Sequence, residues 1–105
     1  MTMIPAKLDR ALRNQILDVP INRFACRGAG LIPEVLREFE LTLRLSIRIA
    51  MRSPHVRALP NAAVFDLVYP PARDVTVTRF LRAIPHLSEG LVGGIIDDAL
   101  AKHDA

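Results

Sequence analysis

The sequence predicts a small α+β domain, and three features predict it. Apolar and polar residues alternate from Phe39 to Arg52, a shorter alternation runs from Ala62 to Tyr69, and helical spacing appears towards both ends of the chain. With 105 residues, 50% of them hydrophobic and 24% charged, the chain suffices for one core and one domain spanning residues 1–105. Its composition is far from that of disordered chains.

Pro5 to Asp18 reads as a helix, with a proline suited to a first turn and Leu8, Ala11, Leu12 and Ile16 at helical spacing. Pro20 stops it. Ile21 to Gly30 has no periodicity and two glycines, which predicts a surface loop. Its Gly28-Ala29-Gly30 lacks the further glycines, or the Gly-Lys-Ser/Thr ending, that a phosphate-binding loop requires.

From Phe39 to Arg52 every odd residue is apolar, and every even one is polar or alanine. A strand would put Phe39, Leu41, Leu43, Leu45, Ile47, Ile49 and Met51 on one face. Glu40, Thr42, Arg44, Ser46, Arg48 and Arg52 would occupy the other. A helix would split the apolar residues into two stripes, Leu36, Phe39, Leu43 and Ile47 against Leu41, Leu45 and Ile49. One long amphipathic strand over 39–52 is the preferred reading, and a two-sided helix is the alternative.

A second short strand is expected over 62–69, ended by Pro70-Pro71. Two C-terminal helices follow. Asp74 caps the first, with Val77, Phe80, Leu81 and Ile84 on one side, and Pro85 closes it. The second begins at Ser88 and carries Leu91, Val92, Ile95, Ile96, Ala99 and Leu100. Gly90, Gly93 and Gly94 each cost such a helix about 1 kcal/mol relative to alanine. Gly90 and Gly94 would admit another backbone closely, or Gly93-Gly94 would form a turn.

Catalytic constellations are weak. His55, His86 and His103 are dispersed, Asp97 and Asp98 diverge on a helix, and no nucleophile elbow is present. Cys26 is the sole cysteine, beside Arg27, and reads as a small, partly buried apolar residue rather than an activated thiol. It permits no internal disulfide and fits a cytoplasmic location. No apolar run reaches the ~20 residues of a membrane span, and no secretory leader pattern opens the chain. No metal, cofactor or small-molecule ligand is expected from these motifs.

Val64 to Ala99, with a predicted strand, Pro70-Pro71, Arg73-Asp74 and Asp97-Asp98-Ala99, resembles in outline the Holliday-junction resolvases of the RusA type. The resemblance covers about a third of the chain. Thr76 and Val77 stand where that family has a second aspartate and an asparagine, and its helical lysine is absent. A metal-dependent phosphodiesterase built on Asp74 with Asp97 or Asp98 is therefore only a third reading.

The first reading is a small non-enzymatic interaction module, a homo-oligomer or a subunit of a larger protein assembly. Excess apolar display motivates it. Its expected interface comprises Leu41, Leu45, Ile49, Leu91 and Ile95, with Gly90 and Gly94 permitting close approach. The second reading is nucleic-acid binding through Arg44, Arg48 and Arg52, which share the polar face of the expected strand. Twelve of the 14 basic residues are arginine, but no run of three occurs.

Overall fold

In the computed structural model, which describes Met3 to Asp104, every regular element is a helix. The order is α1 (Met3–Ile16), α2 (Arg23–Gly28), α3 (Leu31–Ala50), α4 (Pro54–Arg57), α5 (Asn61–Ala83) and α6 (Glu89–Asp104). No strand forms among the described residues, which corrects the α+β expectation in two places.

The first correction is at 39–52, where the helical alternative forms, extended back to Leu31. Its period is visible in what is buried. Val35, Phe39, Thr42, Ser46 and Ala50 lie inside, at spacings of three and four. The alternation misleads because Thr42 and Ser46, assigned to a solvent face, occupy the middle of the buried one. Each hydroxyl spends its proton on the turn below: Thr42 Oγ1 donates to the Glu38 carbonyl at 2.8 Å and Ser46 Oγ to the Thr42 carbonyl at 2.7 Å. A hydroxyl satisfied by its own helix can be buried without a partner elsewhere. The long residues Leu43, Leu45, Ile47 and Ile49 then flank this centre half-buried, and Leu41 is exposed.

The second correction is at 62–69 and the proline pair. α5 runs unbroken through Pro70 and Pro71, so one helix replaces a strand, a stop and a second helix. Without N–H groups these prolines leave the carbonyls of Asp66 and Leu67 lacking their helical donors, a cost of about 3 kcal/mol or more per proline. Packing offsets it. α5 meets α1, α3 and α6, burying Val64, Val68, Pro71, Ala72, Val75, Thr76, Val77, Arg79 and Phe80. So many neighbours leave it no single polar face, and over its full length no one apolar stripe of helical period runs, although Val77, Phe80 and Leu81 keep that spacing near its end.

The stretch Ile21–Gly30, expected as loop, contains α2, capped by Asn22, whose Oδ1 accepts from the Ala25 amide at 3.0 Å. Gly30 then adopts φ 97°, a conformation open to glycine, and starts α3. The reading of both ends stands closer to the structure. α1 ends at Ile16, before Pro20, and α5 stops at Ala83, before Pro85. Ser88 Oγ accepts from the Leu91 amide at 3.1 Å as α6 begins. Gly93-Gly94 is not a turn but helix interior.

α3 and α5 form the central pair, with α1 and α6 each packed on both and α2 on α3. Two apolar clusters result. Leu8, Leu12, Ala50, Val56, Val64, Val68 and Val75 build one, and Ile21, Val35, Phe39, Ala72, Val77, Phe80, Val92 and Ile96 the other. The extents are 42 × 34 × 19 Å, and the radius of gyration is 14.0 Å, against about 13 Å for an average domain of this length. The flattened shape leaves more apolar side chain uncovered than a sphere would.

Candidate interaction surface

Residues expected at an interface fall on separate parts of the molecule. Leu91 and Ile95, one helical turn apart on α6, face Ala29, Gly30, Leu31, Ile32 and Pro33 across a groove of about 520 Å³. No charged side chain lines it. Ile32 is 59% exposed and Leu91 50%. Ile95 is half-buried and packs against the adjoining core.

Gly90 and Gly94 lie beside this face, and a Cβ on either would meet nothing within 4 Å. Neither is therefore needed for packing within the chain. Gly93 is the glycine with an internal role: a Cβ there would collide with the Arg73 guanidinium.

Leu41 and Leu45 line a different cleft, with Ile16, Val19, Glu38, Thr42 and Arg79. Ile49 belongs to a third, beside Lys7, Leu8, Ala11, Ala50, Arg52 and Ser53. The structure does not join these three residues to Leu91 and Ile95 in one groove.

Arg44, Arg48 and Arg52 keep four-residue spacing along the exposed side of α3 and the turn after it, and all three are exposed. Arg44 is tied to Glu40 at 2.6 Å. Arg48 and Arg52 form no ion pair among the described residues.

The acidic residues considered for metal chemistry are dispersed. Asp74 pairs with Arg13. Asp97 accepts two hydrogen bonds from Arg73, both 2.9 Å, and one from the Tyr69 hydroxyl at 3.2 Å. The Arg73 hydrogen bonds hold the Asp97 carboxyl below the usual carboxylate range, and burial together with Asp97 pushes the Tyr69 hydroxyl up. Asp98 points to solvent. Among the described residues no three His, Cys, Asp or Glu side chains cluster as metal ligands would. Val64 to Tyr69, the strand in the resolvase resemblance, is helical.

His55 and His86 are exposed, while the side chain of His103 lies outside the described residues. Cys26 is partly buried and packs against the apolar core. Burial, reinforced by Glu34 and Glu38, pushes its thiol up, opposite to an activated nucleophile.

A buried ionic network at the centre escapes any reading of the sequence. Arg79 Nη1 donates to Glu38 at 2.8 Å, with the two side chains only 4% and 11% exposed. Arg79 also donates to the Val19 carbonyl, from Nε at 3.3 Å and Nη2 at 3.1 Å. Arg37 bridges Glu38 at 3.0 Å and Glu34 at 2.8 Å, holding the Glu34 carboxyl below its usual range. No local motif marks a pair 41 positions apart. Ile32 and Phe24 were missed as well. Phe24 is 84% exposed, and a loop reading of α2 offered no face on which to place it.

No helix of the described residues is long and apolar enough to cross a membrane. No protein-family model matches the chain, and neither a curated protein nor a solved structure matches it.

Proposed function

We propose that this domain is a small non-enzymatic interaction module that pairs with a second copy of itself, or seats in a larger assembly, through the groove between α6 and the start of α3. One observation carries the reading: Leu91 and Ile32, each at least half exposed, line one groove that no charged side chain enters. Burying such side chains is worth about 25 cal/mol per Å², and concentrated apolar surface marks interfaces. Gly90 and Gly94 add close access for a partner helix. Two-fold pairing is the commonest arrangement among soluble homo-oligomers. The single cysteine fits a reducing, cytoplasmic setting.

Light scattering coupled to size exclusion tests the proposal over a tenfold concentration range, on the native chain and on Leu91→Arg. Leu91 is the better probe than Ile95, because half its surface is already in water. A native mass above 11.6 kDa that falls to the monomer in a folded Leu91→Arg supports it. A native monomer throughout refutes self-association.

A second reading, nucleic-acid binding, is favoured by Arg48 and Arg52, aligned and without carboxylate partners among the described residues. Arg44, bound to Glu40, weakens the stripe. Submicromolar binding with a steep salt dependence, lost when all three arginines are replaced, would place this reading first.

A further inference from the structure

We propose that the cleft between α2 and the α5–α6 connection binds a small organic oxyanion, a carboxylate or phosphate head carried on an apolar body. Arg23 and Arg27, four residues apart on α2, form one wall with Cys26 between them, and His86 stands in the connection opposite. Leu31, Ala83, Ile84, Pro85 and Leu87 complete a cavity of about 380 Å³, within the roughly 300–1,000 Å³ of small-molecule sites. No carboxylate lines it.

The charge is uncompensated. Arg13, Arg37, Arg44, Arg73, Arg79 and Arg82 each hold a carboxylate. Arg23 and Arg27 form no ion pair among the described residues. The acidic groups that reach Cys26 electrostatically, Glu34 and Glu38, are themselves held by Arg37 and Arg79. Two arginines lining one cleft can donate to the oxygens of a carboxylate or phosphate, and the aliphatic walls suit a short alkyl body. The Cys26 thiol stays protonated and contributes apolar surface, so the site binds without a covalent step.

The test is a titration of isotope-labelled protein followed by amide chemical shifts, with hexyl phosphate, hexanoate, inorganic phosphate and hexanol as probes at constant ionic strength. Saturable shifts centred on residues 23–31 and 83–87 are expected. Both hexyl anions should bind at least about tenfold more tightly than inorganic phosphate or hexanol, each lacking half of the recognised chemistry. Arg23→Gln with Arg27→Gln should weaken them by about tenfold or more. Both arginines are exposed, so the variant keeps its fold, and unchanged shifts elsewhere verify this.

Co-sedimentation with anionic phospholipid vesicles, lost in the same variant, would assign the head to a bilayer surface. Binding of the soluble anions alone assigns it to a free small molecule. Absent or scattered shifts, equal binding of hexanol, or equal affinity in the variant overturns the proposal. The cleft shares Leu31 with the groove of the proposed interface, so the titration is repeated on Leu91→Arg, where shifts at Arg23, Cys26, Arg27 and residues 83–87 should persist whether or not the chain self-associates.

Discussion

Removing Glu38 is expected to destabilise the fold far more than removing its partner Arg79. In Glu38→Leu the Arg79 guanidinium, 4% exposed, keeps only the neutral Val19 carbonyl. Breaking a buried pair from one side costs about 3–5 kcal/mol, because the remaining charge is left uncompensated. Arg79→Met leaves Glu38 with Arg37 at 3.0 Å, so its cost should be about 1–3 kcal/mol, the value of lost hydrogen bonds to charged groups. The double variant, with two apolar side chains of similar bulk, should return close to the native stability. At about 4–8 °C per kcal/mol for a small domain, Glu38→Leu lowers Tm on the order of 20 °C. Urea unfolding followed by circular dichroism gives all three values, provided the slope against denaturant is unchanged. A cost below about 1 kcal/mol for Glu38→Leu, or a larger cost for Arg79→Met, would refute the reasoning.

Ser46→Leu, which forces a large side chain into the wholly buried centre of α3, should cost about 1–3 kcal/mol or more, whereas Leu41→Ser at a half-exposed position should cost much less. Comparable urea midpoints would restore the alternating-face reading. Gly94→Ala should stabilise α6 by up to about 1 kcal/mol, since its Cβ meets open space. In Gly93→Ala the same gain is offset by displacing Arg73 from Asp97, so its melting point should fall below that of Gly94→Ala. Acid should destabilise the fold through Glu34 and Asp97. Their folded-state carboxyls titrate below the usual range, so the unfolded chain binds more protons in that window. Their contribution is full above the ordinary carboxylate range and is lost as pH falls through the depressed values. Urea midpoints measured from about pH 6 to 2 should flatten in Glu34→Gln with Asp97→Asn, and an unchanged slope would contradict the assignment.

What could be read in the sequence followed the locality of each signal. The end of α1 before Pro20, the end of α5 before Pro85 and the serine-led start of α6 depend on residues within a turn of one another, and the reading came close to all three. The apolar face of α6 was legible too, and Leu91 and Ile95 do line a groove. The α3 error came from treating hydroxyls as solvent-facing, when Thr42 and Ser46 satisfy themselves on the preceding turn. The α5 error came from weighting proline's local cost above the packing of a central helix. The cleft around Arg23, Arg27 and His86 joins residues far apart in the chain, and only the four-residue spacing of the arginines hinted at it.

The two apolar clusters are not fully separate, because Leu43 packs against both and α5 passes from one to the other, Val64, Val68 and Val75 facing the first and Ala72, Val77 and Phe80 the second. α3 likewise places Val35 and Phe39 in one cluster and Ala50 in the other, so cooperativity is carried by Leu43 and by the two central helices, one of which contains Pro70-Pro71, where two backbone hydrogen bonds are missing. Free energy gained at one end, by the proposed anion beside α2 or the proposed partner on α6, would reach the distant packing of α1 through these links. Weakening Leu43 would let the two halves melt at different temperatures, turning one transition into two.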